Sequence, residues 1–166
     1  MTTDIRARAP LNPLWAALLA VGAVALAAII GNVATMPNIP TWYAGLAKPS
    51  FNPPNWVFGP VWGLLYLGMA FAFWRVLRID AAAPGRGAAI AIFVVQLALN
   101  AFWSVAFFGM HNPPLGLVVV IALEIAILAT IALFRRIDPV AGWVLLPYAA
   151  WVAFATVLNL SIVRLN

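Results

Sequence analysis

Few side chains in this sequence can do chemistry, and their positions narrow what that chemistry is. One carboxylate, Glu124, lies inside a long apolar run, and the single histidine, His111, sits in a short polar connection. An ionisable group at membrane depth is expensive unless neutral or partnered, so Glu124 is a functional candidate by default. The competing reading is a neutral acid donating to a neighbouring helix. There are no cysteines, which excludes disulfides and thiolate metal sites. The sequence holds no Ser/His/Asp set, no carboxylate pair at one depth and no phosphate-cradling glycine loop. No metal site is expected and no cofactor is required. Any reactivity has to arrive with a bound ligand.

Aromatic surface is what the chain has in quantity. Of its eight tryptophans, Trp15, Trp56, Trp74 and Trp143 fall near the ends of apolar runs, as a headgroup-level belt does. Trp62, Trp103 and Trp151 fall deeper, where an indole N–H wants a partner. At helical spacing Gln96, Asn100, Trp103 and Phe107 make one stripe; Tyr148, Trp151, Ala155, Leu158 and Asn159 make a second. Phe58, Trp62, Tyr66, Met69 and Phe73 make the third. Three such stripes suit a pocket for a flat, mostly apolar ligand. The amides of Gln96 and Asn159 serve either that ligand or the contacts between helices that Asn and Gln make in membranes.

The elements that carry these stripes follow from composition. Of 166 residues, 66% are hydrophobic and 8% charged, with a mean hydropathy of +1.03, too little polar surface for a water-soluble domain. The net charge of +5 lies in short clusters at the ends of apolar segments, so nucleic acid is not an expected partner. Five segments reach the length a bilayer requires, at about 14–35, 55–77, 88–110, 114–134 and 139–163. They lack the alternation of barrel strands. The expected fold is an all-α membrane protein, a five-helix transmembrane bundle forming one domain over 1–166. Asn12-Pro13 marks the first helix start. Small residues (Ala23, Ala27, Gly31, Gly59, Gly63, Ala149, Ala153) mark close packing, within the bundle or between protomers.

Arg6, Arg8, Arg75, Arg78, Arg86, Arg135 and Arg136 fall on one side of such a bundle, and Lys48 and Arg164 on the other. In a cytoplasmic membrane that bias places the N-terminus inside, as a retained tail, and the C-terminus outside. The outer side then receives the first connection, about 36–54, which contains "KPSFNPP" and is long enough to cover the mouth of the bundle. Prolines lower the entropy lost when such a loop closes on a ligand. Trp42, Tyr43, Phe51 and Trp56 offer flat contact area, and Lys48 either meets a ligand carboxylate or snorkels to the headgroups.

"TWYAGLAKPSFNPPNWVFGPVWGLLY" (41–66), "QLALNAFWSVAFF" (96–108) and "PYAAWVAFATVLN" (147–159) resemble the signatures of the TspO/MBR family of tryptophan-rich sensory proteins, relatives of the mitochondrial translocator protein. The resemblance covers nearly the whole chain. It implies a five-helix bundle, commonly dimeric, that binds porphyrins such as protoporphyrin IX and haem, with benzodiazepine-type and isoquinoline ligands, among membrane lipids. The matching pocket positions are Tyr43, Pro53, Trp62, Asn100, Trp103, Phe108, Trp151, Ala155 and Leu158, to which the stripes and the loop add Phe58 and Lys48. For members that break down porphyrin in light, the positions matching Trp62 and Trp151 are the catalytic ones. The resemblance leaves a sensor, a transporter of porphyrins or lipids, and a light-dependent porphyrin-degrading protein as alternatives. Leu160 stands where the family's sterol-recognition segment expects tyrosine, so steroid recognition by that route is not expected.

Overall fold

A computed structural model describes residues 10–166. Arg6 and Arg8, which enter the orientation argument, lie outside the described residues. Six α-helices carry the chain: α1 (Pro13–Thr35), α2 (Asn55–Leu77), α3 (Arg86–Ser104), α4 (Pro113–Ile137), α5 (Pro139–Trp143) and α6 (Leu146–Leu165). With their 3₁₀ and π extensions they make five spans long and apolar enough to cross a membrane, and there are no strands among the described residues. The protein is an integral, multi-pass membrane bundle.

Three helices begin with the same device, a short polar residue followed by proline. Asn12 Oδ1 accepts from Leu14 N at 2.9 Å, Asn112 Oδ1 from Leu115 N at 3.0 Å, and Asp138 Oδ1 from Ala141 N at 3.1 Å. Each cap satisfies an orphan amide, and the proline that follows has no amide to leave orphaned. The last span is broken at 144–145 because Pro147 lacks the amide that would bond back into α5. The result is a short α5 and a long α6 instead of one helix.

The first connection differs from the expected loop over 36–54. The helix winds on through a 3₁₀ turn (Met36–Asn38) and a π turn (Ile39–Tyr43), and only residues 46–54 are irregular. Pro37 and Pro40 remove donors from the regular ladder and loosen it without ending it. Side chains fill in: Asn38 Nδ2 donates to Ala34 O at 2.9 Å and Thr41 Oγ1 to Pro37 O at 3.0 Å.

Packing runs around a ring in which α1 touches α2 and α3, α3 touches α4, α4 touches α6, and α5 touches α2. Along α1 the buried face is Ala16, Ala20, Val24, Ala27 and Gly31. A Cβ at Gly31 would lie 3.2 Å from Ser104 Oγ, so this glycine sets how closely α3 approaches. Gly59 and Gly63, by contrast, are exposed and have nothing within 4 Å, so neither brings helices together inside this chain. Toward the arginine-rich end Phe73, Phe93 and Phe134 stack in series at 4.3 and 5.6 Å, fastening α2, α3 and α4.

Candidate ligand-binding site

The loop end of the bundle is hollow. A π turn (Val105–Gly109) continues α3, and its wider winding turns the consecutive Phe107 and Phe108 inward, both buried, with ring centres 4.8 Å apart. The π turn that ends α1 brings Tyr43 against them, at 5.5 Å from Phe108 and 6.3 Å from Phe107. These rings wall a cleft of about 90 Å³, or about 630 Å³ with the space at its open mouth. Thr35 and Ile39 line it from the first span, Asn55 and Phe58 from α2, Trp103 from α3, and Ala155, Leu158, Asn159 and Ile162 from α6.

Six of the expected site residues therefore meet in one place: Tyr43, Phe58, Trp103, Phe108, Ala155 and Leu158. The other five stand outside that lining. Trp151 packs its edge on Phe58 at 5.8 Å, and Trp62 lies 5.4 Å from Tyr66 and 6.2 Å from Tyr148. The backbones of α2 and α6 stay apart, and Phe58, Trp62, Tyr148 and Trp151 fill the seam between them. Lys48 Nζ donates to the carbonyls of Leu46 (2.9 Å) and Ala44 (3.3 Å) and sits 4.6 Å from the centre of the Tyr43 ring. These bonds help close the loop. Pro53 stands beside that closure, its carbonyl accepting from Asn52 Nδ2 at 3.0 Å.

Asn100 belongs to a chain of hydrogen bonds across the bundle. Tyr66 OH donates to Asn100 Oδ1 (3.1 Å), Asn100 Nδ2 donates to Tyr148 OH (3.0 Å), and Tyr148 OH donates to Gln96 Oε1 (3.0 Å). Asn159 likewise accepts from Trp103 Nε1 at 3.2 Å and donates to Pro113 O at 2.9 Å. Of the two readings of the amides, the helix-bridging one describes Gln96; Asn159 bridges and also reaches the cleft wall. Glu124 does not bridge at all: its Oε2 is buried with no hydrogen-bond partner among the described residues.

Two restraints on the loop had no sequence signal. Tyr43 OH donates to Asn52 Oδ1 at 3.0 Å, tying the π turn to the loop. Asn166 pairs with the backbone of Ala47 in both directions, accepting from its N–H at 3.0 Å and donating to its carbonyl at 3.1 Å. Beside them His111, at a left-handed φ of 51°, stacks on Trp42 at 4.6 Å with Nε2 2.8 Å from Asn38 Oδ1. Ile162 could have been found by extending the α6 stripe one turn beyond Leu158. Ile39 could not, because Pro37 and Pro40 read as a helix stop.

A cleft of this kind offers flat faces, few polar atoms and no acid–base pair. Among the described residues no group of three His, Cys, Asp or Glu side chains is placed to hold a metal. The TspO/MBR family model matches residues 17–165. A tryptophan-rich protein TspO from Archaeoglobus fulgidus is 42% identical over 92% of this chain and 96% of its own length. A tryptophan-rich sensory protein from Cereibacter sphaeroides is 40% identical over 75% of this chain and 77% of its own. Human translocator protein is 39% identical over 75% of each. Five membrane-spanning helices, an aromatic cleft under the first connection and a match over nearly the whole sequence agree: the chain belongs to the TspO/MBR family.

Proposed function

We propose that this protein is a membrane sensor or regulator that binds tetrapyrroles, protoporphyrin IX or haem, and takes other flat apolar molecules at the same place. The observation that supports it is the cleft of aromatic and aliphatic walls contributed by four spans beneath a restrained loop. The ligand's faces meet Phe58, Trp103, Phe107 and Leu158. Pockets for drug-sized ligands run to roughly 300–1,000 Å³, so the interior of about 90 Å³ is a closed state. Binding then requires residues 46–54 to lift and the rings in the α2–α6 seam, Trp62 and Trp151 among them, to part.

The test is a protoporphyrin titration followed by quenching of tryptophan fluorescence. Ala155 is half-buried on the cleft wall, and Ala155→Trp fills the space a ligand needs. The expected result is at least about a tenfold loss of affinity, the scale of a blocked contact of about 1.4 kcal/mol, with helical content unchanged. Wild-type affinity in a folded variant would refute the site. Vesicles loaded with ligand on one side separate a sensor, which binds without flux, from a transporter.

A further inference from the structure

The opposite end of the bundle carries a second cleft, of about 390 Å³, lined by Ala132, Arg135, Arg136, Pro139 and Trp143. Its construction is specific. Gly142 is buried against α4, and a Cβ there would lie 2.9 Å from the backbone nitrogen of Arg135 and meet the Arg135 side chain. Only glycine lets α5 fold back this closely, and the contact directs the Arg135 stem across α5. The guanidinium ends 4.0 Å from the centre of the Trp143 ring. Stacked in this way, the planar fork keeps its N–H groups for an acceptor.

No protein acceptor is supplied among the described residues. Asp138, the nearest carboxylate in sequence, is taken by Arg75 at 2.8 Å and by the Ala141 amide. Asp80 caps its own turn through Ala82 N at 2.8 Å. Arg86 is bonded to the carbonyls of Val76 and Leu77. Arg135 and Arg136 are left facing an open cleft beside an indole that is half exposed, at the level where helix ends meet headgroups. We propose that Arg135, Arg136 and Trp143 form a binding site for the phosphate of an anionic phospholipid headgroup, separate from the aromatic cleft. Arg135 presents its fork to the phosphate oxygens, Arg136 adds charge, and Trp143 lies along the glycerol and upper acyl region.

The experiment is native mass spectrometry of the full chain in a neutral detergent, titrated with phosphatidylglycerol or phosphatidylcholine. A single arginine near an anionic surface contributes about 1 kcal/mol, or about fivefold. Wild type should retain phosphatidylglycerol in preference to phosphatidylcholine. Arg135→Gln should lose about fivefold and Arg135→Gln with Arg136→Gln about twentyfold, while Arg135→Lys keeps part of the preference. Arg78→Gln removes the same charge at the same end, where Arg78 lies 4.9 Å from the Trp74 ring, and should stay near wild type. Equal losses in the Arg78 and Arg135 variants would overturn the site in favour of diffuse attraction. Displacement by inorganic phosphate at matched ionic strength, with no preference between the two lipids, would overturn the lipid assignment. Porphyrin affinity is not used as a readout, so this result stands or falls apart from that of the cleft.

Discussion

Replacing Asn100 by leucine separates a structural amide from a ligand-binding one. The substitution keeps an apolar side chain of similar bulk and deletes two hydrogen bonds, the one accepted from Tyr66 OH and the one donated to Tyr148 OH. Tyr148 still donates to Gln96, so its hydroxyl is not orphaned, but the Tyr66 hydroxyl is. Side-chain hydrogen bonds in membrane bundles average about 0.6 kcal/mol and reach about 1.7. A stranded donor adds about 1–3 kcal/mol. The expected loss is about 2–3 kcal/mol, measured by unfolding in mixed micelles against an ionic detergent. Tyr66→Phe removes the donor itself and should restore part of that loss in the double variant, a coupling of about 1 kcal/mol. Since Asn100 lies outside the cleft lining, protoporphyrin affinity of the folded Asn100→Leu variant should stay within about twofold, less than 0.5 kcal/mol. Unchanged stability together with a tenfold loss of affinity would refute the reasoning and make Asn100 a ligand contact.

Asp138 gives a pH prediction outside the spans. Burial pushes its carboxyl up, but the Arg75 hydrogen bond and charge and the backbone amides of Ala141 and Val140 prevail, holding it below the usual carboxylate range. A lowered pKa in the fold means a contribution fully present above the ordinary value of about 3.9 and lost as pH falls through the lowered one. Asp138→Asn keeps the cap oxygen and loses the charge, so its stability should fall less than wild type's on acidification below about pH 4; parallel curves would remove Asp138 from the account. Asn166→Ala cuts both bonds to Ala47 and should free residues 46–54. Protoporphyrin should then associate several-fold faster in stopped flow, with a smaller change in affinity, and an unchanged rate would mean that loop opening does not limit entry.

The parts of the fold legible in the sequence were those set by the solvent. Length and hydropathy placed five spans, four of them within about three residues of the structure and the first ending short of Tyr43, and Asn12-Pro13 marked its helix start. Helical spacing correctly put Gln96, Asn100 and Phe107 on one buried face, as it did Tyr148, Leu158 and Asn159. Spacing names a face but not its partner. It could not tell that Asn100 bonds two tyrosines, or that Trp62 and Trp151 fill a seam beside the cleft. Pro37 and Pro40 misled for a related reason. Proline signals a broken α ladder, and the sequence does not say whether the chain then leaves the helix or rewinds as 3₁₀ and π. Lys48 was legible as a cation but not as one consumed by two carbonyls of its own loop.

The two ends of the bundle differ in kind, and that difference bears on where a ligand enters. At the arginine-rich end, stacked phenylalanines, the Arg75–Asp138 pair and the Gly142 contact lock α2, α3, α4 and α5. At the loop end, α1 and α3 both finish in π turns, whose backbone bonds are less regular and which recur at functional sites. The restraints there are hydrogen bonds, one between Tyr43 and Asn52, one between Lys48 and Ala44 and two between Asn166 and Ala47, each worth about 0.5–1.5 kcal/mol. Local opening draws on the weakest-held part of a structure. Lifting residues 46–54 breaks three or four such bonds and leaves the helix packing intact, whereas widening the other end separates packed helices. On the proposed function, a ligand that must enlarge a 90 Å³ interior would be admitted under the loop, between α2 and α6. The arginine-rich end is the more firmly fastened of the two.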